Sequence, residues 1–350
     1  MSAPFLRLRL DKVGSACTPL ALGPYVTINP EPVCAEGTAI VCRVLTARRD
    51  YGHLELVSGR QARLVPGDII VGVLGNRAAM RGFSGRVPQS LAKGDTLHLL
   101  NQGGVVGVSA GGHVELGNPL ELEVLGTPVR LRTPLRLDDH ALDWDLEIPA
   151  PAPPVLVVAG TCMNSGKSTA AGVIIRALRT QGKIVHAGKV TGVACYRDLM
   201  RFADNGARRT LSFLDFGMAS TCYRDDTPPM ARAMLAHLMN ESPDVIVLEL
   251  GDGLMGPYGV DEVLEDAVFS SYVTVAVLAA NDLVGARAGA QQLEDVGIPV
   301  GVVTGPATDN AVGRERLQPL GLQAANIFRE PEEVCRLAID PLWPTAKNET

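Results

Sequence analysis

The residues best suited to chemistry lie in the segment VLVVAGTCMNSGKSTAAGVII, residues 155–175. A Gly-Lys-Ser sequence there follows a short apolar run and opens a stretch of helical length, where loop and helix N–H groups can bind phosphate. In such a loop Gly166 allows close backbone approach, Lys167 reaches the outer phosphates, and the Ser168 hydroxyl binds Mg²⁺. The predicted nucleotide-binding residues are Gly160, Thr161, Asn164, Ser165, Gly166, Lys167, Ser168 and Thr169.

Carboxylates are the next requirement, because Mg²⁺ bound with nucleotide phosphates takes one or two of them as ligands. Glu249, in DVIVLELGDGLMGP, comes at the end of a continuous apolar run. Ligands of open α/β sheets bind at the carboxyl ends of such strands, which makes Glu249 the first candidate. Asp215, in LSFLDFGMAST, also follows an apolar run and is a further candidate. We therefore expect Ser168, Glu249 and an aspartate near the metal.

These motifs require a parallel sheet to bring them together. From residue 155 onward, apolar runs without alternation are separated by amphipathic stretches such as GKSTAAGVIIRALRTQG and PPMARAMLAHLMNESP. The runs are VLVVAG, DVIVLELG, VTVAVLAA and IPVGVVTG. Continuous apolar strands that alternate with helices predict a parallel sheet covered on both faces. We therefore predict an α/β, P-loop NTPase-like domain over residues 155–340.

The first part of the chain has a different pattern. Residues 1–135 contain short apolar runs, several of which alternate with polar residues, and turn sequences such as PGD, KGD and NQGG. This pattern predicts a mostly antiparallel β domain, either a sandwich or a barrel. Residues 136–154 include the Pro/Ala-rich sequence EIPAPAPPV, which is typical of an extended linker. Residues 1–135 contain no recognisable catalytic motif.

Composition excludes several classes of protein. A chain of 350 residues, 46% hydrophobic and 20% charged, predicts about two globular domains. The net charge of -6 argues against a general nucleic-acid binder. The seven cysteines lack disulfide-framework or zinc-ligand spacing, which predicts reduced thiols. Without an apolar run of signal-peptide or membrane-span length, we expect a cytoplasmic protein with no membrane partner.

Three of the segments resemble one family. Counted from Gly160, the loop reads G-T-x-x-x-x-G-K-[ST], the spelling of dethiobiotin synthetase and related MinD-like (SIMIBI) P-loop proteins, one residue longer than G-x-x-x-x-G-K-[ST]. KIVHAGKVTGVA is similar to the synthetase segment Y-K-P-V-x-S-G, with Val190 in place of proline. LELGDG is similar to V-E-G-A-G-G, with Asp252 near a small residue of the family. The loop is also similar to the C-terminal domain of D-glutamate N-acetyltransferase-like proteins.

The resemblance implies roles for particular residues. Lys189 takes the place of the lysine beside the substrate, and Thr191 lies in the loop that follows it. Glu249 matches a glutamate that approaches the metal, and Asp198, in YRDLMRF, matches an aspartate downstream of the lysine segment. Asp198 and Asp215 therefore compete for the same role as a metal ligand. The predicted catalytic residues are Lys167, Lys189 and Thr191.

The resemblance also implies a reaction class. A Mg²⁺- and ATP-dependent ligase of this kind activates a small carboxylate or carbamate by transfer of the γ-phosphoryl group of ATP. The expected substrate is a small carboxylate or an amino acid, and such enzymes are often homodimers. The absence of a guanine-selective N-K-x-D segment favours ATP over GTP. Two alternatives stay open: acyl transfer to an amino acid, and a nucleotide-driven switch or metal-delivery protein. The markers of the switch class are a second lysine early in the loop, a histidine-rich tract and an amphipathic membrane helix, and the sequence shows none of them.

Weaker candidates follow the later strands. Thr304 and Asn310, in VVTGPATDN, are candidates for contact with the nucleotide base, and Asp309 is a candidate helix cap. Asn281 with Asp282 predicts a helix cap that faces the site. His186, beside the lysine segment, is interpreted as a structural residue.

Overall fold

The computed structural model describes residues 4–344, and the chain forms two compact units. The first unit consists of the chain up to Asp143 together with Val193–Arg197 and Phe213–Tyr223. The second unit contains the remainder. The predicted linker, 136–154, has one short 3-10 helix, Asp138–His140, and its beginning belongs to the first unit. None of the helices within residues 4–344 has the length and hydropathy that crossing a membrane requires.

The first unit is built from β-strands, most of which pair antiparallel. Short apolar runs between turns predicted such a unit, and this prediction is confirmed. The strands are β1 (Leu6–Arg9), β2 (Lys12–Val13), β3 (Tyr25–Asn29), β4 (Ala39–Val44), β5 (His53–Glu55), β6 (Gln61–Arg63), β7 (Ile69–Leu74), β8 (Arg77–Ala78), β9 (Phe83–Arg86), β10 (Thr96–Leu99), β11 (Val105–Gly112), β12 (Glu121–Arg130) and β13 (Thr133–Pro134).

Five of these strands close into a ring, in the order β12, β4, β7, β11, β10 and back to β12. Only the β7–β11 pairing in the ring is parallel. Every second residue along a strand points to the same face, and the side chains that form the core of the ring, such as Ile40, Cys42 and Val44 of β4, follow that period. The resulting core is Ile40, Cys42, Val44, Leu54, Leu64, Ile70, Leu74, Leu97, Leu99, Val106, Leu120, Leu122 and Val124. The ring is therefore filled with aliphatic side chains, as in a small barrel.

A buried glutamate with several donors lies in the first unit. Glu55, the last residue of β5, has 0% of its surface exposed. Its Oε1 accepts hydrogen bonds from the hydroxyl of Ser15 at 2.5 Å and from the backbone N–H of Tyr196 at 2.5 Å. Its Oε2 accepts one from the thiol of Cys195 at 3.1 Å. Both carboxylate oxygens therefore have partners inside this unit.

The second unit is an α/β structure. Its strands are β14 (Val155–Gly160), β15 (Val185–Thr191), β16 (Arg209–Ser212), β17 (Val245–Leu250), β18 (Val273–Ala279) and β19 (Val300–Thr304). Its helices are α1 (Lys167–Thr180), α2 (Arg197–Asp204, whose first residue belongs to the other unit), α3 (Thr227–Met239), α4 (Val260–Glu265), α5 (Ala267–Tyr272), α6 (Leu283–Asp295), α7 (Ala311–Leu317) and α8 (Pro331–Ile339).

The six strands form one parallel sheet in the order β16, β15, β17, β14, β18, β19. The predicted fold class, a parallel-sheet P-loop NTPase-like domain after a mostly antiparallel β domain, is confirmed. All six residues of β14 and all six of β17 are buried, as expected for strands covered on both faces. The edge strand β16 was not predicted, because its sequence RTLS is short and carries two half-buried residues, Arg209 and Thr210.

Strand order places the site. β14 lies between β17 and β18, and the next strand along the chain, β15, lies beyond β17. The chain therefore continues to one side of β14 and later returns on the other, and in open α/β sheets ligands bind at such a point, outside the carboxyl ends of the strands. The segment between β14 and α1 is the predicted phosphate loop, so the loop lies at this point of the sheet.

Candidate functional site

The predicted phosphate loop connects the last residue of β14, Gly160, to the first turn of α1. Asn164 has φ 62° and Gly166 has φ 101°, so the backbone turns through left-handed conformations just before the helix. A Cβ atom on Gly160 would lie 2.5 Å from the Ser165 hydroxyl and 2.9 Å from the side chain of Lys167. Gly160 is therefore required because the lysine side chain folds back over it.

Two neighbouring loops pack against this segment through glycines. A Cβ on Gly253, after β17, would lie 2.6 Å from the carbonyl oxygen of Thr161. A Cβ on Gly305, after β19, would lie 2.5 Å from the carbonyl oxygen of Ser165. Both positions need glycine because the backbones are in direct contact. In the sequence, this close packing is indicated only by the glycines of the GDG and TG segments at the ends of these strands.

Lys167 is buried, with 5% of its surface exposed. Its Nζ donates hydrogen bonds to the carbonyl oxygens of Cys162 at 2.8 Å and Asp252 at 2.5 Å. Burial lowers the pKa of Lys167 below its ordinary value, while the nearby Glu249 carboxylate opposes that change. The ammonium group is thus held by backbone carbonyls of two loops, and no motif in the sequence indicated that Asp252 would contribute its backbone carbonyl.

Glu249 lies beside the start of α1 and is almost completely buried, at 2% exposure. Its Oε1 accepts a hydrogen bond from the hydroxyl of Ser168 at 3.0 Å. Its Oε2 is also buried and has no hydrogen-bond partner within residues 4–344. A buried carboxylate oxygen without a donor is costly unless a cation or another donor satisfies it.

Lys189 stands directly opposite Glu249, because the two residues pair in register on the adjacent parallel strands β15 and β17. Its Nζ is 3.5 Å from Glu249 Oε1 and forms an ion pair with Asp198. Asp198 is in the first turn of α2 and is 9% exposed. The ammonium group of Lys189 therefore lies between two carboxylates, close to Ser168.

The other predicted residues are placed as follows. Thr191 is buried, and its hydroxyl donates to the carbonyl oxygen of Gly251 at 2.9 Å. The hydroxyl of Thr161 accepts a hydrogen bond from the backbone of Asn281 at 3.2 Å. Thr169 is half-buried in the first turn of α1, whereas Asn164 is exposed.

Asp215 lies in a short 3-10 helix, Phe213–Phe216, that belongs to the first unit. Its backbone carbonyl accepts a hydrogen bond from Leu142 N–H at 2.8 Å. Asp198, by contrast, shares the second unit with Ser168 and Glu249. The role of Asp215 as a metal ligand stays a prediction.

The loops after β18 and β19 carry both caps and contacts. Asp282 caps α6 by accepting from Gly285 N–H, as predicted, but Asn310 rather than Asp309 caps α7. The hydroxyl of Thr304 accepts from Ile327 N–H at 3.0 Å, so this side chain is used inside the fold. His186 is buried and its Nδ1 bonds the carbonyl oxygen of Leu238 at 2.6 Å, which agrees with a structural role.

Asn281 is the residue in these loops that contacts the phosphate loop through its side chain. Its Nδ2 donates to the sulfur of Cys162 at 2.7 Å. Its Oδ1 is buried and lacks a hydrogen-bond partner in the described part of the chain. A buried amide oxygen with spare acceptor capacity beside the loop is available to a ligand donor.

The residues fit a Mg²⁺ ion. A hydroxyl oxygen (Ser168) and carboxylate oxygens (Glu249, Asp198) are ligands of the kind that Mg²⁺ prefers, together with phosphate and water. The buried Oε2 of Glu249, which lacks a donor, would gain a partner from such a cation. Among the described residues there is no cluster of three or more His, Cys, Asp or Glu side chains arranged to hold a metal.

No protein-family model and no curated protein matches the sequence. Among solved structures, the chain is similar to the signal recognition particle 54 kDa protein of Aeropyrum pernix in complex with GDP, at 18% identity and a TM-score of 0.37, over 54% of this chain and 45% of that one. It is similar to chloroplast FtsY of Physcomitrella patens, at 17% identity and a TM-score of 0.39, over 59% and 70%. A DUF1611 family protein of Anabaena variabilis is 15% identical, with a TM-score of 0.38, over 56% and 62%.

These are distant similarities to P-loop NTPases of the SIMIBI class, and the chain spans less than half of the first protein. TM-scores this low carry no argument about activity. The class of the second unit follows from its own architecture: a parallel sheet, and a glycine-bounded loop between the central strand β14 and helix α1, with Lys167 and Ser168 opening that helix. The second unit is a P-loop NTPase-like α/β domain.

Proposed function

We propose that the protein is a Mg²⁺- and ATP-dependent enzyme that activates a small carboxylate or carbamate by phosphoryl transfer, in the manner of an amide-forming ligase. The observation that supports this is the arrangement of Lys167, Ser168, Lys189 and Glu249 at the carboxyl edge of one parallel sheet. Phosphoryl transfer depends mainly on positioning and on stabilising negative charge, and this group of side chains can do both.

Nucleotide binding would use the loop from Gly160 to Thr169. The N–H groups at the start of α1 point out of the helix N-terminus and are suited to bind phosphate oxygens. Lys167 would exchange its bonds with the carbonyls of Cys162 and Asp252 for bonds with phosphate. Ser168, Glu249 and Asp198 would hold Mg²⁺, which when bound neutralises negative charge on the phosphates.

Lys189 would then contact the reacting groups. In the proposed reaction, a carboxylate oxygen of the substrate forms a bond to the γ-phosphorus while the bond from that phosphorus to the β,γ-bridging oxygen breaks, giving an acyl phosphate and ADP. An amine then attacks the acyl carbon, inorganic phosphate leaves, and the amine loses a proton to give the amide. The ammonium of Lys189 stabilises the negative charge on the transferring group.

The test measures ATP turnover of the full-length protein with Mg²⁺, alone and with pools of mono- and dicarboxylic acids and amino acids. We expect turnover to rise with at least one pool. Lys167→Ala should abolish nucleotide binding, whereas Lys189→Ala should still bind nucleotide and lose stimulated turnover. Lys93→Ala, at an exposed turn, is the control of equal charge change. Turnover that responds to no acid, or a fully active Lys189→Ala, would rule out the proposed reaction.

A further inference from the structure

We infer that Lys189 and Mg²⁺ compete for the same two carboxylates, so that the lysine weakens metal binding and is released to the reacting groups when the metal binds. This inference rests on the proposed function, since it concerns the regulation of the proposed site by its own lysine. It assigns to Lys189 a role before the reaction, in addition to charge stabilisation during it.

The contacts of Lys189 support the competition. Its Nζ pairs with Asp198 and lies 3.5 Å from Oε1 of Glu249. The same Oε1 accepts the hydrogen bond from Ser168 at 3.0 Å. The ammonium group of Lys189 therefore contacts two of the proposed metal ligands, Asp198 and Glu249, and the third ligand, Ser168, is bonded to Glu249.

The position of this ammonium group is set by the sheet. Lys189 and Glu249 pair in register on neighbouring parallel strands, so their side chains leave the sheet side by side on the same face. The side chain of Lys189 is 13% exposed and that of Glu249 is 2% exposed. Charges that are screened this little by water interact more strongly than surface pairs do.

The charge balance gives the competition its direction. Glu249 and Asp198 bring two negative charges, and Lys189 already neutralises one of them. Lys167 also lies close to Glu249, whose carboxylate acts to raise the pKa of this lysine. A divalent cation added beside an ammonium group meets repulsion as well as attraction. Metal binding and the Lys189 contacts therefore oppose each other, and by linkage each must weaken the other.

The pairing leaves one acceptor for the metal to use first. Oε2 of Glu249 is buried and has no donor among the residues that the structure describes. A metal ion can engage this oxygen while Oε1 still faces Ser168 and Lys189. Full ligation by Glu249 and Asp198 then requires the ammonium to move away from the two carboxylates.

The first experiment titrates Mg²⁺ into the full-length protein by calorimetry, without nucleotide and with a non-hydrolysable ATP analogue. Lys189→Met keeps the length of the side chain and removes its charge. We expect this variant to bind Mg²⁺ about tenfold more tightly than the wild type, since one nearby repelling charge is gone. Lys189→Arg should not gain Mg²⁺ affinity, because it keeps the positive charge beside the two carboxylates, and Lys93→Met controls for net charge.

A second measurement needs no variant. Lysine acetylation of the wild type, read by mass spectrometry, should increase at Lys189 when Mg²⁺ is added and stay unchanged at the exposed Lys93. Mg²⁺ affinity of Lys189→Met equal to or weaker than the wild type, or labelling of Lys189 that does not rise with Mg²⁺, would overturn the competition. If either of these results is obtained with a wild-type protein that binds Mg²⁺ and nucleotide, only the competition is overturned and the proposed function stands. If the wild-type protein binds neither Mg²⁺ nor nucleotide, the competition and the proposed function are both overturned.

Discussion

Each unit of the protein contains a buried glutamate near the end of a strand. The carboxylates of the two glutamates differ in their hydrogen-bond partners. Glu55, in the first unit, receives hydrogen bonds on both oxygens, from Ser15, Tyr196 and Cys195. Glu249, in the second unit, receives one hydrogen bond from Ser168 on Oε1, near Lys189, and its Oε2 has no partner within the described chain.

The difference separates a structural carboxylate from one that can bind a ligand. Folding has already compensated the desolvation of Glu55, so this residue has no acceptor to offer. Glu249 keeps an uncompensated oxygen next to two lysines, which is stable only where something is gained elsewhere, and proteins keep such groups at functional sites. Burial alone therefore does not distinguish the two glutamates, whereas their hydrogen-bond partners do.

The largest effect is expected for substitution of Glu249. Glu249→Gln keeps the size of the side chain and removes the charge, so turnover should fall by at least about 100-fold, because the proposed Mg²⁺ ion loses an anionic ligand. The melting temperature should change little, since the amide keeps an acceptor for Ser168, replaces an oxygen that lacks a donor in the described chain, and leaves Lys189 paired with Asp198. Steady-state ATP turnover and calorimetric unfolding check both statements. Turnover within a few-fold of the wild type would remove Glu249 from the site.

The opposite result is expected for Glu55→Gln. The new amide presents donors toward groups that are themselves donors, which should cost about 1–3 kcal/mol in the free energy of unfolding of the first unit. Turnover per folded molecule should not change. Urea unfolding monitored by circular dichroism, with Glu123→Gln on the partly exposed Arg43–Glu123 pair as control, measures the cost. An unchanged stability would contradict the structural interpretation of Glu55.

The serines that donate to these glutamates sharpen the comparison. Ser168→Ala should lower turnover about tenfold and raise the Mg²⁺ concentration required, with nearly unchanged stability, because it removes a proposed metal ligand. Ser15→Ala should lower stability by about 1 kcal/mol and leave turnover unchanged, because it removes one hydrogen bond to Glu55. If both variants lowered turnover, or both lowered stability, the distinction between the two glutamates would fail.

The smallest expected effect comes from His186. Burial lowers the pKa of His186 below its ordinary value of 6.5. The hydrogen bond with the Leu238 carbonyl and the Glu241 carboxylate oppose this change, whereas Arg209 and Arg208 lower the pKa further. The unfolded chain therefore takes up a proton first as the pH falls, so the stability present above about pH 6.5 is lost as the pH falls through the lowered pKa.

We expect the free energy of unfolding to fall between about pH 7.5 and about pH 5.5, and to fall less in His186→Gln. Urea unfolding at the two pH values measures it. His140→Gln, at an exposed histidine, is the control and should keep the pH dependence of the wild type. A His186→Gln protein with the full pH dependence would exclude His186 as its source.

Much of the fold could be predicted from local patterns. Continuous apolar runs located β14, β17, β18 and β19, and the Gly-Lys-Ser sequence located the start of α1 at Lys167. Edge strand β16 was missed because a short strand with two half-buried positions resembles a loop in composition. The ring of strands in the first unit was predicted only as a sandwich or barrel, because pairing between distant strands leaves no local pattern.

The candidate site was predictable only in part. Phosphate-loop chemistry is local: the loop, Lys167 and Ser168 are contiguous, so their types and spacing indicate a function without knowledge of the fold. Asp198 and Asp215 could not be distinguished, because each follows plausible local sequence and the side chain's surroundings depend on distant segments. The contacts of Asn281 and of the Asp252 carbonyl with the loop came from packing that no motif records.

The sequence by itself determined that this protein has a phosphate loop at the end of a buried strand, because that information lies in consecutive residues. Tertiary structure decided which buried carboxylate is satisfied. Glu55 meets Tyr196 across 141 positions, and Ser168 meets Glu249 across 81. Strand register alone puts Lys189 beside Glu249. Contacts over such separations depend on how strands and loops pair in space, and the balance of donors and acceptors around each glutamate exists only after that pairing.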